Sequence, residues 1–157
     1  MRRASWQEYQ KDIADDKYYY ARSCIRQNFF PGSEKAFLDI LTNNLGIDIY
    51  DDPLHTSCTG IGYHSDVVPL ETIMTVVARQ FALMSEAGYE NFTSSCITSF
   101  GIYTELLNTW EEFPETEERT RRYLKEATGR ELVKPRSIAH TSDIMFYHRE
   151  AIARKAK

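Results

Sequence analysis

Apolar residues recur along this chain in two alternating rhythms. Three short β-rich runs, residues 18–21 (Tyr-Tyr-Tyr-Ala), 47–50 and 89–95, are each followed by a stretch whose apolar positions fall three and four apart. The first rhythm is that of a strand and the second that of one face of a helix. A strand followed by a helix, three times over, predicts an α/β fold. We expect a small parallel, Rossmann-like sheet in a single domain with helices on both faces. Residues 18–21 are placed at its centre.

The helical stretches are read as follows. Residues 5–15 carry Trp6, Tyr9 and Ile13 on one side. After a connection over 23–32, a helix capped near Ser33 turns Phe37, Leu38, Leu41 and Leu45 inward and stops at Gly46. A third begins at a cap by Asp66 with Pro69 in its first turn. Its stripe of Leu70, Ile73, Met74, Val77, Phe81 and Met84, widened by Val76, Ala78 and Ala82, marks the most buried helix, ended by Gly88. A fourth, from near Thr98, buries Phe100, Tyr103, Leu106, Leu107 and Trp110. Pro114 closes that helix and opens a charged one over 115–128, where Tyr123, Leu124 and Ala127 can pack. In the last segment, 137–156, Ile138, Ile144, Met145, Tyr147 and Ile152 are the anchors. Residues 1–16 are read as an N-terminal helical extension and 17–157 as one α/β domain.

Composition narrows the class. The chain has 157 residues, 42% hydrophobic and 27% charged, with a net charge of −4. That balance disfavours a nucleic-acid groove, which needs a basic face. The basic residues at the two ends (Arg2, Arg3; Arg149, Arg154, Lys155, Lys157) are read as solvated termini. No apolar run approaches the ~20 residues of a membrane helix, and no signal-peptide core is present, so a cytoplasmic protein without membrane insertion is expected. The three cysteines are an odd number, which excludes a complete internal disulfide framework.

The cysteines carry the candidate chemistry. Cys24, the pair Ser57-Cys58, and Cys96 with Ser99 each follow a predicted strand. Parallel strands end on one side, so the three thiols are expected to meet at the carboxyl edge of the sheet. Taken alone, they could also be three packing residues. His55 and His64 flank Cys58, but no Cys-x2-Cys or His-x3-His pair supports a zinc site. His64 could instead hydrogen-bond a sulfur or pass a proton. His140 and His148 read as surface or packing residues. There is no Gly-x-Ser-x-Gly elbow, and Gly60-Ile61-Gly62 lacks the third glycine of a dinucleotide loop.

The separations are specific. Between Cys24 and Ser57 lie 32 residues, between Cys58 and Cys96 lie 37, and between Cys96 and Ser99 lie two. With the serines standing at cysteine positions, this pattern resembles the N-terminal cysteine-rich (CCG) domain of the B subunit of heterodisulfide reductase. Tyr20-Ala-Arg-Ser-Cys24, Phe30-Pro-Gly-Ser33, Leu45-Gly-Ile-Asp-Ile-Tyr-Asp-Asp-Pro53, Gly62-Tyr-His-Ser-Asp66 and Phe100-Gly-Ile-Tyr-Thr-Glu105 extend the likeness over about residues 17–150.

The resemblance implies a subunit of a redox complex that moves electrons, or reduces a disulfide, at an iron–sulfur cluster. In that family five cysteines of one domain hold a noncubane 4Fe–4S cluster, and two such domains usually stand in tandem. Here only Cys24, Cys58 and Cys96 are thiols, while Ser57 and Ser99 occupy the other two positions. Iron favours a soft, readily ionised thiolate over a hydroxyl. Three thiolates suffice for a 3Fe–4S cluster, or for a 4Fe–4S cluster with one open iron lined by the serines. The expected partners are other subunits of a redox complex, or a second copy of the chain. The alternative reading is a metal-free subunit that kept the fold and serves as a docking partner.

Overall fold

The computed structural model describes residues 6–14, 16–55, 58–60 and 66–155. Its centre is Tyr18-Tyr19-Tyr20, three consecutive tyrosines without solvent exposure. Successive strand residues point to opposite faces, so a run buried at every position requires cover on both sides. The chain supplies it. Four parallel strands, β1 (Lys17–Ala21), β2 (Asp48–Tyr50), β3 (Asn91–Ser94) and β4 (Ser137–His140), pair in the order β2-β1-β3-β4. The register sets Tyr18 beside Ile49, Tyr19 beside Phe92, and Phe92 beside Ile138. This is the α/β fold with a small parallel sheet that the strand-helix rhythm predicts, and 18–21 lie at an interior position of it.

Each face has its own apolar layer. Tyr19, Ala21, Phe92 and Ile138 pack with residues of α4 (Leu70–Glu86), α5 (Ile97–Glu112) and α6 (Pro114–Thr128). Tyr18, Tyr20 and Ala139 pack with Tyr9 and Ile13, with Phe37 and Leu41, and with Ile47 and Ile144. Tyr9 belongs to α1 (Trp6–Gln10), Phe37 to α3 (Pro31–Asp39) and Ile144 to α7 (Thr141–Tyr147). α3 runs into a wider π-helical stretch, Ile40–Asn44, and α8 (Arg149–Lys155) ends the described chain. α1 is tied to the far end of the sequence, because Tyr9 Oη donates to Asp143 Oδ2 at 2.7 Å.

The buried tyrosine hydroxyls all find partners, as burial demands. Tyr18 Oη accepts from the Ala14 amide at 2.6 Å, and Tyr19 Oη donates to Asp52 at 2.9 Å. Tyr20 Oη donates to Glu34 and lies 2.6 Å from Ser95 Oγ. Desolvation and these carboxylate partners push the Tyr19 and Tyr20 hydroxyls well above the ordinary phenol range.

Several local expectations need correction. Residues 23–32 are not a plain connection: Cys24–Phe29 form a helix, α2, started by Ser23, whose Oγ accepts from the Arg26 amide. The helix at 70 is not capped by Asp66. It starts from Pro69, while Asp66 takes a left-handed φ of 53°. Leu70, expected on the inner stripe, is exposed; Ala127 is also exposed, and Thr120 packs beside Leu124 in its place. The segment 137–140 forms an edge strand that no pattern announced. Among the described residues no helix is long and apolar enough to cross a membrane.

Candidate functional site

Strand ends set the site. β1 ends at Ala21, and three residues later Cys24 opens α2. β3 ends at Ser94, and Cys96 stands at the N-cap of α5 with extended backbone. Ser94 Oγ accepts from the Cys96 amide at 3.1 Å, which fixes that turn. Cys58 comes from the loop after β2. Its neighbour Gly60 lies so close to α5 that a β-carbon there would stand 2.8 Å from Thr98 Cγ2. The loop carrying Cys58 is thus held against the helix that Cys96 begins.

The three thiols, 34 and 38 residues apart along the chain (58 − 24 and 96 − 58), line one pocket of about 80 Å³. Ser99, Arg22, Gln27 and His55 complete its wall. Cys24 and Cys58 are exposed, Cys96 is half-exposed and Ser99 is buried. Burial raises the Cys24 thiol pKa, and the neighbouring Cys58 and Cys96 raise it further. Cys24 therefore resists ionising beside the other two sulfurs, and a bound cation would relieve that repulsion. Arg22 is anchored by Asp51, with one of the two contacts at 3.0 Å, which ties the ends of β1 and β2 together at the rim. Larger hollows exist elsewhere. One of about 380 Å³ lies between α5 and residues 134–138, but neither thiol nor imidazole lines it.

His55 is the most constrained polar group here. Its imidazole is 2% exposed and packs against Tyr19 and Phe92, with ring centroids 5.8 and 6.2 Å away. Among the described residues neither Nδ1 nor Nε2 has a hydrogen-bond partner. Desolvation brings its pKa down to about 4; Asp52 and Asp51 pull the other way, and Arg79 and Arg22 add to the lowering. The ring is therefore neutral near pH 7.

A pH dependence follows for the metal-free chain. The unfolded histidine titrates near 6.5 and the folded one near 4, so between these values the unfolded state holds more protons. Stability is full above the unfolded value and is lost as the pH falls through the window toward 4. Between pH 7 and pH 5 the loss should be about 2 kcal/mol. His140, whose pKa burial also lowers, adds a loss of the same sign. Urea midpoints at the two pH values check this, and His55→Phe should flatten the slope. A wild-type midpoint that does not move would contradict it.

The cysteine convergence expected from the strand pattern is thus found. Ser57 and His64 lie outside the described residues, so their expected places beside Cys58 have no structural counterpart here. Among the described residues no three His, Cys, Asp or Glu side chains close on a single ion; the zinc reading of His55, Cys58 and His64 includes a residue outside them. Arg22 and Gln27 carry no signal of their own in the sequence. Gln27 stands one turn after Cys24 on α2, a spacing that would have named it had that helix been foreseen. His140 caps α7, accepting from the Ser142 amide at 3.3 Å, so it is a packing residue, as expected.

No family model matches the chain. Over 102 residues it is 35% identical to the B subunit of the ferredoxin:CoB-CoM heterodisulfide reductase of Methanosarcina acetivorans. The match takes in 63% of this chain but 32% of the relative, so the chain spans about a third of that protein's length. The likeness to the B subunit of heterodisulfide reductase therefore rests on an aligned stretch as well as on motifs.

Proposed function

From that similarity we propose that the chain is a subunit of a heterodisulfide-reductase-like redox complex and holds an iron–sulfur cluster through Cys24, Cys58 and Cys96. The observation that carries the proposal is the meeting of three thiols, distant in sequence, in one pocket at the carboxyl edge of a parallel sheet. The donor set fits. Thiolates are the ligands iron–sulfur clusters take. A cluster is wider than one ion, so its ligands line a pocket without closing on a point, and these three line one pocket.

A cluster bound there would supply one-electron transfer at the sheet edge. The chain's own residues do the rest. α2 holds Cys24 at its first residue and α5 holds Cys96 at its N-cap, and the packing of Gly60 on Thr98 holds the Cys58 loop. Arg22 places positive charge at the rim of the pocket. Ser99, in the pocket wall, presents a hydroxyl where the resembling family has a thiol. In this reading Ser57 and Ser99 line the open side of the site.

Apolar side chains flank the pocket residues: Ile25 next to Cys24, Leu54 next to His55 and Ile97 next to Cys96 are 50%, 55% and 66% exposed. Apolar surface of this kind around a redox site suits docking by another protein. The partner we infer is a further subunit of the redox complex, since the relative is itself one named subunit of a reductase.

Anaerobic purification or reconstitution, followed by iron and sulfide analysis and a visible spectrum, tests the assignment. A brown protein with at least three irons per chain is expected. A colourless chain with three freely titratable thiols would defeat it and leave the metal-free docking subunit.

A further inference from the structure

His55, in the wall of the cysteine pocket, is buried with both ring nitrogens unmet among the described residues. Buried histidines almost always pair at least one ring nitrogen, and one that pairs neither within the protein calls for a partner from outside it. Here both nitrogens are unpaired among the described residues, and the nearly inaccessible ring lines the pocket of the three thiols.

The backbone that presents it is firmly placed. The His55 amide donates to Asp52 O at 3.0 Å and the Leu54 amide to Asp52 Oδ1 at 2.8 Å. Tyr19 Oη holds the other oxygen of Asp52 at 2.9 Å. Arg79 reaches the Leu54 carbonyl at 3.3 Å. Asp52 is buried and already serves Tyr19 and Leu54. A turn tied to the central strand in this way keeps the imidazole at the pocket instead of letting it swing into water. The alternative of a ring packed only for its bulk fits poorly, since Phe or Leu would fill the same space beside Tyr19 and Phe92 without two unmet polar atoms.

We propose that His55 is the fourth protein ligand of the site, giving an imidazole nitrogen to the cluster held by Cys24, Cys58 and Cys96. This rests on the function proposed above and goes beyond it by completing the donor set with nitrogen where Ser99 offers a hydroxyl. Neutral imidazole is the form that binds metal. The ligand class is therefore three thiolates and one imidazole. Nitrogen in place of thiolate also lowers the negative charge on the site and raises its reduction potential.

The test is anaerobic reconstitution of the full chain with ferrous iron and sulfide, dithionite reduction, and electron–nuclear spectroscopy for directly coordinated nitrogen. His55→Phe keeps the packing against Tyr19 and Phe92, and His55→Cys offers a thiolate in place of the imidazole. The wild type should show a strongly coupled nitrogen that both variants lack. Iron per chain should fall at least twofold in His55→Phe and recover in His55→Cys, with circular dichroism unchanged in both. Iron-loaded wild type without a coupled nitrogen, or with one that persists in His55→Phe, would overturn the ligand assignment and leave the cluster proposal standing. Wild type that takes up no iron would overturn both.

Discussion

Cys24→Ser, Cys58→Ser and Cys96→Ser should each leave the reconstituted chain nearly colourless, with iron per chain reduced at least fivefold. Serine differs from cysteine by one atom, so the substitution isolates the chemistry of that atom. A hydroxyl stays protonated where a thiol ionises, and oxygen is a poor match for iron in a sulfide cluster. With three thiolates present, removing any one leaves too few strong ligands to retain the group. The fold should not contribute. Cys24 and Cys58 are exposed and Cys96 is half-exposed, and substitutions at such positions usually change stability by no more than ~0.5 kcal/mol. Ser99→Ala, at a buried position in the same wall, is the control that should keep its iron. Full iron in any of the three serine variants would remove that cysteine from the site.

That loss is expected at three separated positions because the sheet gathers them. This gathering is legible in the sequence: parallel strands end on one side, and each cysteine follows a strand. The strands are legible for a related reason. Residues 18–21 are β-formers at nearly every position, and only a doubly covered strand uses such a run. β4 is not legible. Ser137-Ile-Ala-His140 is short and carries one large apolar residue, and its burial comes from packing beside β3. α2 escapes notice for the opposite reason. None of its six residues is buried, so it has no apolar stripe to read, and it forms from its Ser23 cap. The state of His55 is hidden as well. A loop histidine five residues beyond a strand reads as solvated, yet Tyr19 and Phe92, from two other strands, enclose it. Contacts of that range leave no local pattern.

Phe92 joins the core to the site, and Phe92→Ala should cost about 4 kcal/mol of stability. Its ring has no solvent exposure and lies at the meeting point of four others. It stacks on Tyr19 at 5.6 Å, meets Phe81 edge-on at 5.1 Å and Tyr103 edge-on at 5.0 Å, and borders His55 at 6.2 Å. Truncation loses the transfer energy of the ring and leaves a cavity among side chains fixed by two strands and two helices, which cannot collapse into it. Each aromatic pair adds roughly 0.5–1.5 kcal/mol beyond buried area. Against a total of about 5–15 kcal/mol for a domain, the variant should be near the limit of folding at 37 °C. Phe92→Leu keeps most of the volume and should lose about 1.5 kcal/mol. Urea midpoints of the two variants at pH 7 check both values, with an unchanged denaturant slope showing that the same structure unfolds. Should Phe92→Ala fall within 1 kcal/mol of wild type, the ring does not hold the centre of this layer, and the floor under His55 must come from elsewhere.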